Sequence, residues 1–337
     1  MKKDPARLRD ISPENERWYD TGPPLVLDGW VQMDNGTQSS SEHTENYTIL
    51  VKREGATNYW HSLMEIYSMT LSIDVLQITP ESTDSTPLYI AERDAPNTQV
   101  VIVDNHPDGP YFDMWSLFTK KPILRFDDLP ENTTFENLIV PLAGAGNTLW
   151  QGDWEVNSCE KSKLLNTFAN RALTLYGFNN TKPRQSKKIT LTFINRVSKR
   201  KLANQKQYLE RLQQEFPLVN VQSIDFAAIS YKDQLKIIQE SDILAGVHGA
   251  GLTHGIFLPP GSAMVEILPP GLNHKGFRNV ASLRGHDYFS THASDPPSTH
   301  GGDWHSEDVY LEVQRFMDVM NVAIKAMYNK GLRSYDV

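Results

Sequence analysis

The feature that most constrains the fold is a regular alternation of short apolar segments with longer amphipathic ones in the C-terminal half. The apolar segments have the length of strands, and the segments between them carry apolar residues at helical spacing. Strands separated by helices of this length are typical of βαβ units, which build a parallel sheet. The pattern predicts strands at 189–194, 219–223, 243–247 and 264–268, and helices at 204–216, 232–240, near 278–283 and at about 307–328.

The N-terminal half shows the same alternation less regularly, and a polar segment at 179–188, interrupted by Pro183, is the predicted linker. We therefore expect an α/β protein with two Rossmann-like domains facing a cleft. The expected boundaries are an extension at 1–45, an N-terminal domain at 46–178 and a C-terminal domain at 188–330. Within the N-terminal domain the pattern predicts strands at 48–51, 88–90, 100–103, 123–126 and 138–140, and helices at 59–76, 111–118 and 164–175.

Composition excludes several classes of partner. The 337 residues carry a formal net charge of -8, and no segment gathers lysines and arginines on one face, so nucleic acid is a poor candidate partner. No apolar run is long enough to span a bilayer, and residues 1–10 are too polar for a signal peptide. The single cysteine, Cys159, rules out an intrachain disulfide.

A glycine-rich turn follows the predicted strand 243–247 and is the most informative motif, GVHGAGLTH at 246–254. Backbone at Gly249, Ala250 and Gly251 can approach a ligand closely, and free N–H groups at a helix start suit a diphosphate. Ligands of open α/β sheets bind at the carboxyl ends of the strands, where this turn lies. The alternative is a tight turn that only packs against its neighbours.

Glu266 lies in the next predicted strand among apolar neighbours, and a buried carboxylate needs a partner. It is a candidate to accept hydrogen bonds from the ribose hydroxyls of a nucleotide. The alternative is a buried ion pair with Arg278 or Arg284.

Arg196 and Arg200 follow the first predicted strand of the C-terminal half. Arginines just past a strand's carboxyl end can reach a ligand there and neutralise a diphosphate. The alternative is a basic, solvated loop, which suits the lysines of this segment better than Arg196.

His61 and Glu65 are four residues apart in the predicted helix 59–76 and share one face. Either side chain is a candidate general base for an acceptor hydroxyl. A His–Glu pair that serves packing alone is an equal alternative. No spacing of histidines, cysteines or carboxylates matches a metal site, so a divalent metal is possible but not indicated.

These motifs together resemble the signature of glycosyltransferase family 61. The resemblance covers about 46–330 and rests on GVHGAGLTH, FLPPG at 257–261 and VEI at 265–267, with NYWH at 58–61, DQL at 233–235 and ASLRG at 281–285. It implies a GT-B fold, with the donor in the C-terminal domain and the acceptor on the N-terminal side. By motif position, it places His248, Gly249, Gly251 and Arg196 on the diphosphate and Glu266 on the nucleoside, with Glu65 where the relatives carry an aspartate.

The resemblance also implies a function. We expect inverting transfer of N-acetylglucosamine from a UDP-sugar donor to a serine or threonine hydroxyl of a protein, without an obligatory cofactor, in the lumen of the endoplasmic reticulum or Golgi. The alternatives are transfer of xylose or another pentose to a glycan, and a non-catalytic relative that binds a UDP-sugar.

Overall fold

The computed structural model describes residues 20–32, 46–81, 85–131, 133–178, 188–294 and 305–330. The chain divides into two compact units, Met1–Gln151 and Gly152–Val337. Residues 179–187 of the expected linker at 179–188 and most of the expected extension at 1–45 lie outside the described residues. No helix in the described ranges is long and apolar enough to cross a membrane.

The first unit is built on a four-stranded parallel sheet in the order β3-β2-β1-β4. A long helix, α2, follows β1, and it begins where the Asn58 side chain accepts a hydrogen bond from the Trp60 N–H at 3.1 Å. Most of α2 is buried, because it supplies much of the core of this unit. The elements are α1 (Pro23–Trp30), β1 (Tyr47–Val51), α2 (Tyr59–Ile78), α3 (Ala91–Asp94), β2 (Thr98–Ile102), β3 (Leu124–Arg125), β4 (Asn137–Ile139) and α4 (Thr148–Gln151).

The second unit contains a five-stranded parallel sheet in the order β6-β5-β7-β8-β9. Its central strands are buried along their whole length, as expected for a sheet covered on both faces. The elements are α5 (Lys163–Leu175), β5 (Thr190–Ile194), α6 (Gln205–Glu215), β6 (Asn220–Ile224), α7 (Tyr231–Gln239), β7 (Ile243–Val247), a 3₁₀ helix (Ala250–Phe257), β8 (Ala263–Leu268), α8 (Gly276–Arg284), β9 (Asp287–His292) and α9 (Val313–Asn329).

The division between the units differs from the expected domain boundary. Helix α5 was expected in the N-terminal domain, but it packs in the second unit, where the rings of Phe168 and Phe257 lie 6.4 Å apart. The Ser162 N–H also donates to the Leu283 carbonyl at 2.7 Å. The apolar face of α5 packs beside the 3₁₀ helix. These two segments are far apart in the chain, and helical spacing alone does not reveal such a contact.

Candidate functional site

The second sheet has one place where consecutive connections leave in opposite directions. From β5 the chain moves outward to β6 and then returns to form β7 on the other side of β5. The loops that follow β5 and β7 therefore diverge at the carboxyl edge and leave a crevice, which is the usual ligand position in an open parallel sheet. Asn195 and Arg196 follow β5, and His248 and Gly249 follow β7, so the topology brings together two motifs that are separate in the sequence.

Gly249 lies directly against the two arginines of the β5 loop. An ideal β-carbon built on Gly249 would collide with the Arg196 guanidinium and lie 3.3 Å from Nη2 of Arg200. Gly249 also has a φ of +154°, which side-chain-bearing residues rarely adopt. The backbone of this turn therefore lies directly against positive charge, and a larger residue at 249 would displace the Arg196 guanidinium. The predicted approach of a ligand to this backbone stays a prediction.

Gly251 allows a second close contact, between the glycine turn and the end of β5. A β-carbon there would lie 3.1 Å from Cγ2 of Ile194, the last residue of β5. Ala250 starts a 3₁₀ helix, whose first turn closes with the Leu252 N–H donating to the Gly249 carbonyl at 2.9 Å. The glycine turn thus opens a helix at the strand end, as the sequence predicts, although the helix is of the 3₁₀ type.

Arg196 is partly buried and has no acidic partner among the described residues. Its Nε donates to the Lys199 carbonyl at 2.8 Å, which leaves both terminal nitrogens of the guanidinium for other acceptors. Burial lowers the pKa of Arg196, although a guanidinium keeps its charge at neutral pH. A partly desolvated cation without a carboxylate favours binding of an anion.

Arg196 also contributes to the wall of a groove of about 570 Å³ in the second unit. The groove runs beside α6 and the edge strand β6, and Lys201 and Lys206 add further positive charge to its wall. Its volume lies in the ordinary range for small-molecule sites. Arg196 is thus shared by the glycine turn and an open groove.

His248 and Glu266 form a buried pair. The Nδ1–H of His248 donates to Oε1 of Glu266 at 2.6 Å, and Glu266 is only 1% exposed. The Tyr288 hydroxyl donates to Oε2 of the same carboxylate. Both carboxylate oxygens therefore already have a protein partner. Arg284 bonds elsewhere, to Asn166 and to the Leu258 carbonyl, so the alternative of an ion pair between Glu266 and Arg284 is wrong.

Two opposing effects act on the His248 imidazole. Burial lowers its pKa, and the hydrogen bond to Glu266 raises it in part. Since the carboxylate of Glu266 accepts the Nδ1–H, it fixes the orientation of the ring and the tautomer in which Nδ1 carries the proton. Burial and the charge of Glu266 likewise raise the pKa of Tyr288, which therefore stays a hydrogen-bond donor at neutral pH.

A second histidine packs on the first. The His274 ring meets the His248 ring edge-on, with centroids 4.8 Å apart. His274 Nε2–H donates to Asp153 at 3.2 Å, and its Nδ1 accepts the Gly276 N–H at 3.2 Å, so both ring nitrogens are engaged. These two hydrogen bonds fix the His274 ring, which therefore packs on His248 as a held neighbour.

The first unit holds His61 and Glu65 on helix α2, where the two side chains do not bond to each other. Instead, Nδ1–H of His61 donates to the Glu54 carboxylate, at 2.9 Å from Oε1 and 3.0 Å from Oε2. The His61 ring also lies against Trp150, with centroids 4.3 Å apart. His61 is half-buried, and Glu54 provides the carboxylate partner that the sequence pattern assigned to Glu65.

Glu65 is buried, with 4% of its surface exposed. Its Oε1 accepts the Glu54 N–H at 2.8 Å, and its Oε2 has no hydrogen-bond partner in the described ranges. Burial raises the pKa of Glu65 well above its ordinary value, with the nearby charge of Glu54 adding to the effect. Burial therefore favours the protonated form of this side chain more than it does for an exposed glutamate.

No group of three or more histidines, cysteines, aspartates or glutamates in the described ranges is arranged to hold a metal ion. Metal independence stays a prediction.

The comparison with protein families decides the assignment of the chain. The model described as Glycosyltransferase 61 matches residues 59–265, a span that contains both candidate bases, the arginine loop and the glycine turn. The chain belongs to the glycosyltransferase 61 family.

Curated relatives agree with the family 61 assignment. The EGF domain-specific O-linked N-acetylglucosamine transferase of Drosophila melanogaster is 26% identical over 245 residues, which cover 72% of this chain and 44% of that protein. The Beta-1,2-xylosyltransferase of Oryza sativa is 23% identical over 311 residues, covering 82% of this chain and 54% of that protein. The chain thus spans about half the length of these relatives.

Among solved structures, a glycosyl transferase family 9 protein from Veillonella parvula aligns over 84% of this chain and 97% of that chain. The identity is 10% and the TM-score is 0.32, which is too low to support any argument about fold or function.

Within this family 61 member, sequence reasoning missed Glu54, Asp153 and His274. Glu54 lies just before the matched span, in a loop with no motif of its own. His274 and Asp153 are far apart in the chain, and only the folded second unit joins them. One signal in the sequence could have identified Glu54: it is a charged residue soon after the predicted strand 48–51, where ligands of parallel sheets bind.

Proposed function

We propose that this family 61 protein transfers a sugar from a UDP-sugar to a hydroxyl group of a protein, with inversion at the anomeric carbon. The observation that carries the proposal is the contact of Arg196 and Arg200 with the Gly249 turn at the divergent connections of the second sheet. This arrangement supplies positive charge and accessible backbone where a diphosphate is expected to bind.

The donor half of the proposal assigns one role to each residue. Arg196, Arg200 and the N–H groups of Gly249, Ala250 and Gly251 stabilise the charge that develops on the departing diphosphate. His248 contacts the same diphosphate through Nε2.

Glu266 was expected to bind the ribose. Its two carboxylate oxygens accept hydrogen bonds from His248 and Tyr288, so a direct ribose contact would have to share one of these oxygens. We retain the nucleoside contact as a proposal and add a second role, in which Glu266 fixes the His248 ring.

The acceptor half assigns the general base to His61 or Glu65 on helix α2. The acceptor hydroxyl loses its proton as it attacks the anomeric carbon from the face opposite UDP. The two units would then be the two Rossmann-like domains of a GT-B enzyme, with the acceptor on the first and the donor on the second. We also propose that the protein acts in the lumen of the endoplasmic reticulum or Golgi.

The transferred sugar is proposed to be N-acetylglucosamine, as in the name of the Drosophila relative. Xylose is the second candidate, because the rice relative is named a xylosyltransferase and aligns over a larger share of this chain. The reaction class is the same for both donors, so the difference concerns the sugar pocket and the acceptor.

The test is a donor screen that follows UDP release. UDP-N-acetylglucosamine and UDP-xylose are each supplied with a folded EGF domain or with an oligosaccharide acceptor, and products are identified by mass. We expect acceptor-dependent release with UDP-N-acetylglucosamine and the EGF domain. Release with UDP-xylose and the oligosaccharide alone would support the second candidate. Absence of release with every pair, in a protein that still binds UDP, would support a non-catalytic relative.

A further inference from the structure

The loop after β1 places the Glu54 carboxylate on the His61 ring. Both carboxylate oxygens lie within 3.0 Å of Nδ1, while the Trp150 ring packs against the imidazole at 4.3 Å between centroids. The ring is therefore held by a hydrogen bond at one edge and by an aromatic face. A carboxylate on one nitrogen fixes the tautomer and leaves the other nitrogen as the basic atom.

This pair lies at the divergent connections of the first sheet. β1 has β2 on one side and β4 on the other, and the chain leaves β1 toward β2 and only later returns to β4. The loop after β1 supplies Glu54, and Trp150 follows β4 in helix α4. The carboxyl edge at such a point is the ordinary ligand position of a parallel α/β sheet.

The backbone of Glu54 is itself held by the Glu65 side chain. The Glu54 N–H donates to Oε1 of Glu65 at 2.8 Å. Gly144, in the segment after β4, leaves room for this contact, since a β-carbon there would lie 2.8 Å from Cγ of Glu65. A chain of contacts thus runs from the buried Glu65 through Glu54 to His61.

The two candidate bases differ in access. Glu65 is 4% exposed, so it offers an acceptor almost no surface, and burial raises its pKa. The side chains of His61 and Glu54 are 19% and 25% exposed. Half-buried groups of this kind can touch a substrate while keeping a fixed geometry.

We propose that Glu54 is a positioning residue that fixes His61 as the general base, while Glu65 anchors Glu54 and does not take the proton. This inference rests on the proposed function. The acceptor oxygen forms a bond to the anomeric carbon as the bond from that carbon to the UDP oxygen breaks. The electron pair of the broken bond leaves with UDP, the hydroxyl proton moves to Nε2 of His61, and the Glu54 carboxylate balances the imidazolium charge.

The first test needs no substrate. Nitrogen-15 NMR of the full chain reports which imidazole nitrogen of His61 carries the proton, with the signal assigned by its loss in His61→Gln. We expect the proton on Nδ1 in the wild type and in Glu54→Gln, whose amide oxygen can still accept it, and a mixture of tautomers in Glu54→Ala. A wild-type proton on Nε2, or an unchanged tautomer in Glu54→Ala, would overturn the proposal.

The second test measures acceptor-dependent UDP release with UDP-N-acetylglucosamine and an EGF domain. We expect kcat to fall about 10- to 100-fold in Glu54→Gln, which keeps the hydrogen bond but loses the charge, and ~100-fold or more in Glu54→Ala. Donor KM should change less than about threefold, since Glu54 belongs to the first unit. Glu92→Gln, at an exposed carboxylate in α3, is the matched control.

The Glu65 variants complete the design. Glu65→Gln keeps a side-chain oxygen that can accept the Glu54 N–H, so it should lose less activity than Glu54→Gln. A greater loss in Glu65→Gln than in Glu54→Gln would overturn the proposal in favour of Glu65 as the base. If the wild type releases no UDP with any acceptor, the proposed function fails, and the NMR result then shows separately whether the Glu54–His61 geometry exists.

Discussion

Arg196 lies so close to Gly249 that a β-carbon on the glycine would overlap its guanidinium. The two residues belong to different loops, one after β5 and one after β7, which meet at the divergent connections of the second sheet. The glycine therefore serves the arginine directly: it leaves the space in which the cation lies. The glycine turn and the arginine loop are therefore in direct contact, and we propose that together they form one anion site.

Gly249→Ala tests this relationship. The added methyl group should displace Arg196 and strain the turn, so UDP affinity should fall about tenfold or more, which corresponds to at least about 1.4 kcal/mol. Calorimetric titration with UDP measures the effect. Gly29→Ala is the control, because that glycine in α1 has no neighbour within 4 Å of a β-carbon. Equal affinities in the two variants would separate Gly249 from the anion site.

His248→Ala should lower the rate of sugar transfer on the order of 100-fold, as loss of one stabilising contact to a developing oxyanion does. Glu266→Gln should lower the rate less. The amide keeps the shape of the side chain, so His248 stays in place, but its NH₂ group can face His248 and weaken the hydrogen bond. Acceptor-dependent UDP release measures both, with Glu240→Gln, at an exposed position after α7, as control. Near-normal turnover in His248→Ala would remove that residue from the site.

His286 gives a prediction about acid stability. Burial, with the charges of Arg284 and Lys330 in support, lowers the pKa of His286 to about 3. In the unfolded chain the pKa of a histidine is about 6.5. Between pH 6.5 and about pH 3 the unfolded state therefore binds a proton that the folded state does not bind. The contribution of His286 to the free energy of unfolding should therefore fall by about 1.4 kcal/mol for each pH unit between 6.5 and about 3.

Urea denaturation of wild type and His286→Gln between pH 7 and pH 4.5 checks this effect. The stability difference between the two proteins should change in favour of the variant as the pH falls, whatever the cost of the substitution at pH 7. A difference that stays constant with pH would show that His286 takes up its proton equally in both states. His106→Gln, at an exposed histidine of the first unit, is the control.

Much of the second unit was predictable because its strands are continuous apolar runs separated by amphipathic helices. The predicted strand 243–247 is confirmed residue for residue as Ile243–Val247. Strand β9 was missed because Asp287–His292 is polar and only partly buried, so neither an apolar run nor strict alternation marks it. The predicted helix 111–118 is a shorter 3₁₀ helix, Phe112–Ser116.

The geometry of the candidate site was predictable where a local motif determines the backbone, as in the glycine turn, since glycine spacing reflects a backbone requirement. It was not predictable where chemistry depends on tertiary pairing. His61 and Glu65 share a helix face, yet each bonds to Glu54, which lies in the loop between β1 and α2. Helical spacing identified the two residues but not the group between them.

The most direct test of the central claim is calorimetric titration of UDP, UDP-N-acetylglucosamine and UDP-xylose into wild type and Arg196→Ala, each with and without EDTA. We predict that UDP binds the wild type, that EDTA does not change the affinity, and that Arg196→Ala weakens it at least about tenfold. Equal affinity of wild type and Arg196→Ala for UDP, or no binding of any UDP compound to the wild type, would contradict the assignment of the donor site to the loops after β5 and β7.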